Sequence, residues 1–391
     1  MLLKSFIRLC YFFVGISFLP LLSGCWDRAE INDIAIVMGS AFDKVGEEYE
    51  VTMISPLPGE MGGPSGGGGG TSGGATYYLD AALGRSIRDA SMNLQRRMSR
   101  ELKLGHRRIL LIGEELAKEG VRKPLDVLSR HRESRITTQV FITEGSAKDV
   151  LSAQPQLENI SAEAIRELGG RSYNIMLRDF LLEFQQKGND PILPVVKTTE
   201  NRSPIKENVA EQVEISKLAI FKGDKLHFFT NKEETAGVDW LLSIMEGHEY
   251  TFVVNEEKKE TFTVFIKEAN CTIDYDLNDE EPFFKIDIKT SGIGVENVSD
   301  INLEERGGYE KLNELMNEQI KQEVTSIIDH TLSEGIDSFG FGWHLHRRER
   351  KIWKELEQHW QEKLPNIDYE ITINSSVELP GLVTEGVGIG E

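Results

Sequence analysis

Apolar residues are spread along this chain in three distinguishable ways, and each predicts a different kind of element. Residues 9–22 form an almost unbroken apolar run behind Lys4 and Arg8, and the run closes in Leu22-Ser23-Gly24-Cys25. Beyond it, short runs rich in Ile and Val read as strands at 34–40 and 49–55, with Asp43-Lys44-Val45-Gly46 as a turn. Strands are also predicted at 107–113 and 136–143. Helical patterns lie near Glu114, from Lys123-Pro124 to His131, and after Ser146, a suitable N-cap. Leu79, Leu83, Ile87, Ala90, Leu94 and Met98 recur every three or four residues, which predicts one long amphipathic helix from Tyr77 onward. The spacing predicts a further helix over 161–186, broken at Gly169-Gly170 and ended by Pro191 and Pro194. Its core would hold Ile175, Leu177, Phe180, Leu181 and Phe184.

The third regime is strict alternation. A polar stretch at 198–212 predicts a domain boundary, and a hairpin signal follows at 218–230 around Lys222-Gly223-Asp224-Lys225. Asn231 and Lys232 lead into a helix with Val238, Leu241, Leu242 and Met245 on one side. Strands are then expected at 261–268, 271–277 and 283–290. In residues 285–289 every second position is charged, the mark of a half-exposed antiparallel strand. Helices are predicted at 304–332 and 343–363, with a break at 337–342 and a last strand at 367–377. The fold class is therefore α+β or mixed α/β, with small mixed or antiparallel sheets packed with helices. The expected division is a leader at 1–24, an N-terminal α/β domain at 25–200, a small middle domain at 201–258, and a C-terminal α+β domain at 259–391. The first domain would carry a Gly-rich loop at 59–75, and the last would carry the two long helices.

The opening run changes the picture most. A basic start, an apolar stretch too short to span a bilayer and a small residue before a cysteine make a bacterial lipoprotein signal. The expected chemistry is a diacylglyceryl thioether on Cys25, cleavage after Gly24 and acylation of the new amino terminus. Two or more acyl chains hold a protein on a membrane stably where one does not. The formal charge of −20 becomes −22 once Lys4 and Arg8 leave, which argues against nucleic acid as a partner. Of three cysteines, Cys10 departs with the leader and Cys25 takes the lipid, so Cys271 is left without an intrachain partner. Charge is unevenly placed. Residues 85–135 hold 14 Lys or Arg against 7 Asp or Glu, and residues 232–324 hold 9 against 23. Solvated helix faces account for much of this, and a basic region close to the lipid also suits anionic headgroups.

Candidate chemistry is sparse. The glycines of 59–75 lack the Gly-Lys-Ser/Thr ending that a phosphate loop requires. His344 and His346 lack a third ligand nearby, and Asp274, Asp276, Asp279, Glu280 and Glu281 lack the turn glycine of a calcium loop. No Gly-x-Ser-x-Gly elbow is present, and Cys271 reads as a small core residue. No catalytic, metal-binding or cofactor-binding residues are expected, and the chain does not read as an enzyme. Trp343 and Trp360 would mark a partner surface if they formed an exposed patch.

Several local strings occur in a telling order: Gly24-Cys25-Trp26-Asp27 with Glu30-Ile31, then the Gly-rich segment, then Gly105-His106-Arg107-Arg108-Ile109. Ile112-Gly113-Glu114-Glu115-Leu116-Ala117, Arg130-His-Arg-Glu133, and Gly340-Phe341-Gly342 with Trp353 and Trp360 complete the series. In these strings the chain resembles, over essentially its full length, the Ger(x)C lipoprotein family, the C subunits of nutrient germinant receptors of endospore-forming bacteria. The resemblance implies a three-domain α/β lipoprotein on the outer face of the spore inner membrane, acting with an A-type subunit and a permease-like B-type subunit. It transfers a defined role to Cys25 alone, as the lipid site. Where the family often has basic residues after its last strand, this chain has Val377-Glu378-Leu379-Pro380-Gly381. An alternative of a different class, a solute-binding lipoprotein feeding a permease, predicts two similar lobes around a cleft, whereas the sequence shows unequal parts.

Overall fold

A computed structural model describes residues 33–57, 76–130, 134–205, 209–278, 281–303 and 307–378. The leader, Gly24, Cys25, the glycines of 59–75 and the acidic pair Asp279-Glu280 lie outside the described residues.

The first unit begins with strands β1 (Ile34–Ile36), β2 (Gly39–Val45), β3 (Glu48–Pro56) and β4 (Tyr77–Gly84). Helix α1 (Ile87–Gln95) follows, then β5 (Glu101–Lys103), β6 (Ile109–Ile112), α2 (Glu114–Glu119), α3 (Arg122–Arg130) and β7 (Gln139–Thr143). Three helices, α4 (Ala147–Ser152), α5 (Ser161–Arg171) and α6 (Leu177–Glu183), lead to β8 (Ile192–Glu200), β9 (Glu211–Lys222) and β10 (Lys225–Phe229). Eight of these strands form one sheet in the order β10-β9-β8-β7-β6-β2-β3-β4, while β1 pairs with β5 in a separate two-stranded parallel sheet. The middle of the large sheet is parallel, from β2 through β6 and β7 to β8, and antiparallel pairs flank it. Leu110 and Ile112 face a layer holding α1, α2, α3 and α6, whereas Ile109 and Leu111 face α4 and α5. Strands covered on both faces read as apolar runs, and β6 and β7 are buried at every position, with Gln139 and Thr143 as the polar ends of β7.

The second unit holds α7 (Lys232–Leu241), β11 (Glu249–Asn255), β12 (Glu260–Asn278), β13 (Glu281–Val298) and α8 (Gly308–Ser333). It ends with α9 (Phe341–Arg348), α10 (Arg350–Leu356), α11 (Trp360–Lys363) and β14 (Asp368–Glu378). Its sheet runs β11-β12-β13-β14, antiparallel except for the last, parallel pair. Leu312, Met316, Ile320, Val324 and Ile327 of α8 share one buried cluster with Phe284, Ile286 and Ile288 of β13. Ile192, Leu218 and Ile220 of the first sheet belong to that same cluster, so one apolar core joins the two units.

Five expectations need correction. The long helix expected at 343–363 is the three short helices α9, α10 and α11, broken where Glu349 leaves helical geometry (φ −124°, ψ 63°). The helix expected from Tyr77 is β4 and α1 instead. Residues 77–84 pair with all of 49–56, and the chain then folds back so tightly that a Cβ on Gly84 would lie 2.2 Å from Ala90 N. Ser86 caps α1 by accepting from Asp89 N, 3.1 Å. The helix over 161–186 runs through Gly169-Gly170 and breaks at 172–176. Gly169 is needed for contact, since a Cβ there would stand 2.5 Å from Phe141 Cζ. Pro191 and Pro194 introduce a strand, β8, which pairs with β7 only from Val195 onward, so Pro194 precedes that ladder. The expected strands at 261–268 and 271–277 are one strand, β12, carried across by register shifts at Thr263/Val264 and Ile266/Glu268. The polar 198–212 stretch is a connection inside the large sheet, because β8 and β9 pair on either side of it from Glu200↔Glu211 to Ile192↔Ile220. Residues 201–258 are therefore shared, β9 and β10 with the first sheet and β11 with the second.

Candidate functional site

The polar residues that the fold gathers lie where the two units meet. Asp337, between α8 and α9, is buried and accepts from Phe341 N (2.8 Å), Gly342 N (2.7 Å) and Trp360 Nε1 (2.9 Å). Asp190, just before β8, accepts from Asp337 N (2.9 Å) and Gly223 N (2.7 Å), and its own N–H donates to the Asp337 carbonyl at 2.6 Å. Two aspartates thus tie the start of β8 and the β9–β10 turn to the α8–α9 corner. Burial pushes the Asp337 carboxyl up to about 7 against the pull of its three donors, and raises Asp190 as well. Gly340 has φ +72°, and a Cβ on Gly342 would stand 2.7 Å from both the Trp353 ring and Trp360 Nε1. The Gly340-Phe341-Gly342 string and the two tryptophans are parts of one node around Asp337.

A second node centres on Glu323 of α8, which accepts from Trp240 Nε1 (3.2 Å), Tyr250 Oη (3.0 Å) and Gln319 Nε2 (3.0 Å). Gly237 lets α7 cross there, since a Cβ would come within 2.2 Å of the Glu323 carbonyl oxygen. Beside it, Tyr173 donates to Asp239 at 2.5 Å, linking the two units again, and burial lifts Asp239 to about 6. These groups line an open cleft of about 1100 Å³ bounded by Tyr173, β9, α7, β11 and α8. Its carboxylates outnumber Lys232 and His248.

The residues weighed from sequence are scattered. His344 and His346 stand two positions apart on α9, roughly 200° around the helix. The His346 ring lies 6.0 Å from Trp353. Asp274 pairs with Arg348 (2.7 Å), Asp276 with Lys285 (2.5 Å) and Glu281 with Lys363 (2.8 Å). Among the described residues no group of three His, Cys, Asp or Glu side chains is placed to hold a metal ion. Cys271 is half-buried on β12, its thiol pushed up to about 12 by burial, which leaves it protonated and unreactive. Trp360 is buried and Trp343 half-buried, so they form no exposed aromatic patch. Asp337, Asp190, Glu323 and Asp239 carry the geometry yet were not legible beforehand. The one available signal was an aspartate a few residues ahead of a Gly-x-Gly helix start.

One further residue stands out. Arg107, of the Gly105–Ile109 string, is 1% exposed, and its Nε and Nη2 have no partner among the described residues. Burial depresses it to about 10, so it stays charged at neutral pH.

Comparison with known proteins shows two family matches. The spore germination protein N-terminal domain matches residues 27–198, and the spore germination B3/GerAC-like C-terminal domain matches residues 216–381. The gap between them falls in the β8–β9 region. The putative spore germination protein YfkR of Bacillus subtilis (strain 168) is 32% identical over 367 residues, covering 93% of this chain and 94% of that protein. Spore germination protein KC of the same organism is 22% identical, covering 92% and 93%. The crystal structure of the GerBC protein superposes with a TM-score of 0.56 at 17% identity, covering 89% of this chain and 99% of that one, which shows a shared fold. With both halves matched in order and a relative aligned nearly end to end, the chain belongs to the Ger(x)C family of spore germination proteins.

Proposed function

We propose that this chain is the lipid-anchored C subunit of a nutrient germinant receptor. In this reading Gly24 precedes the cleavage site and Cys25 carries the S-diacylglyceryl group and an N-acyl chain. The folded units then stand on the outer face of the spore inner membrane beside A-type and B-type, permease-like subunits. The observation that carries the reading is the pairing of a lipoprotein signal with a full-length match to spore germination proteins. The geometry supports a scaffold rather than a catalyst. Its buried carboxylates are spent on backbone, indole and phenol donors at the junction of the two units and beside it, and among the described residues they are not aimed at a nucleophile or a metal. A solute-binding lipoprotein would place its cleft between two similar lobes, whereas here an eight-stranded mixed sheet meets a four-stranded one of different order.

Spores lacking this chain test the reading, scored by optical density loss and dipicolinate release with amino acids, sugars and exogenous calcium dipicolinate. Loss of response to one nutrient class with the calcium dipicolinate response intact is the expected result. A normal response to every nutrient contradicts it. Cys25→Ala is expected to release the protein from the membrane or lower its level, and normal membrane retention of that variant overturns the anchoring.

A further inference from the structure

The fold sorts charge in space. Residues 85–103, which cover α1 and β5, hold six Lys or Arg against two Asp or Glu. Helix α1 packs on β3 and β4, at one edge of the large sheet and on the face of Leu110 and Ile112. The acidic second unit packs against Leu218 and Ile220 of β9, whose neighbours Ala219 and Phe221 point to the α1 face instead. Six strand spacings separate β9 from β4, roughly 29 Å. The basic segment around α1 and the acidic unit therefore occupy opposite faces and opposite ends.

Arg88, Met92 and Arg96 follow one another at four-residue steps on α1 and are exposed, so they form one outward stripe. Arg85 and Arg97 are paired with Asp89 and Asp80, but no carboxylate among the described residues pairs with Arg88, Arg96 or Arg100. Beside the stripe, α1 and α3 border a groove of about 530 Å³ with Ile87 and Val127 on its walls and Arg85, Arg88, Lys123, Arg130 and Asp126 around it, Asp126 pairing with Arg130. The tether leaves from the same corner. Ile34 of β1 pairs with Glu101 of β5, the residue directly after Arg100. Eight residue steps lead from Asp33 back to Cys25, at most about 28 Å of chain.

We propose that the outward face of α1, with the α1–α3 groove, is a membrane-contact surface that binds the phosphate-bearing headgroups of anionic phospholipids. Charge complementarity selects the occupant. The tether, which rests on the lipidation of Cys25, delivers this face to the bilayer and keeps the acidic unit turned away from it. The lipid holds the protein on the membrane, and the basic face sets its orientation.

The test uses residues 26–391, which keep every described element and carry no lipid. This chain is floated with vesicles of phosphatidylcholine alone or with about 30 mol% phosphatidylglycerol, in salt of about 0.1 M and then about 0.5 M. Flotation with the anionic vesicles only, and its loss at the higher salt, is expected. Arg88→Glu, Arg96→Glu and Arg100→Glu together should lower partitioning by roughly a hundredfold or more, since each near-surface cation contributes about a factor of five. A charge-matched Lys321→Glu, Lys351→Glu, Lys354→Glu chain on the second unit should float as the wild type does. Arg88→Gln with Arg96→Gln is the milder variant if the triple reversal loses its circular dichroism signature, and it should fall roughly twentyfold. Absence of wild-type flotation, equal flotation of the α1 variants, or an equal loss in the second-unit variant overturns the proposal. Because no lipid is present, a failure of Cys25 lipidation would leave these results untouched and appear only as release from cell membranes.

Discussion

Strands β6 and β7 of the large sheet are buried at every residue, while β13 of the small sheet is buried at every second residue through most of its length. The first sheet lies between two layers of helices, and the second is covered by α8 and leaves its far side to water. The difference shows where each unit can spend side chains. The first has none to spare in its central strands, so its charge sits on the helices and on the segments that flank them, the basic excess falling around α1 at residues 85–103. The second presents Lys285, Asp287 and Lys289 from the strand itself. A unit covered on both sides and a unit covered on one are then joined by a core, by the Asp190–Asp337 pair and by the Tyr173–Asp239 bond.

The largest expected effect comes from the carboxylate that shapes the second unit's side of that junction. Asp337→Ala strands two backbone N–H groups and the Trp360 indole, and should cost roughly 4 kcal/mol in urea unfolding. The same group sharpens the comparison through pH. Its folded value of about 7 lies above its unfolded one, so the contribution is fully present below about pH 4 and is lost as pH rises through 7. The unfolding midpoint should therefore fall between pH 5 and pH 8, and Asp337→Asn should flatten that fall. A wild-type midpoint that climbs steadily over this range would show that the three donors dominate over burial.

How much was legible follows from the same contrast. The continuous run Ile109–Ile112 and the alternation in 285–289 declared their strands, because burial on two faces or one writes directly into the pattern. The 77–98 stretch misled because Leu79, Leu83 and Ile87 satisfy a helical period by coincidence. What places residues 77–84 in a strand is pairing with β3, from Pro56↔Tyr77 to Tyr49↔Gly84, partners 21 to 35 positions back and invisible to local spacing. Ser86 with Asp89 three residues on was a readable cap signal for the later, true helix start. The nodes were hidden for a related reason: Asp190 and Asp337 are 147 residues apart, and nothing in either neighbourhood names the other.

Smaller effects refine the account. Ser86→Ala removes the α1 cap and should cost about 1 kcal/mol, measured as a lowered urea midpoint. If 77–98 were one helix, the same change would fall mid-helix and be neutral or mildly stabilising. Arg107→Met replaces a buried cation lacking partners at two of its nitrogens with an apolar chain of similar reach, and should leave stability unchanged or raise it by about 1 kcal/mol. A loss of several kcal/mol there would mean that the guanidinium has a partner in the folded protein.

The central claim is that two unlike sheets behave as one body, joined by a shared core. Four of the five tryptophans, Trp240, Trp343, Trp353 and Trp360, lie in the second unit, so fluorescence reports mainly on it, while far-ultraviolet circular dichroism reports on both. Urea unfolding of the chain from Trp26 followed by the two signals is the most direct measurement. A single coincident transition is predicted for the wild type, separating into two in Asp190→Ala, which removes the carboxylate that accepts from Asp337 N across the junction. Two separate transitions in the wild type would contradict the account.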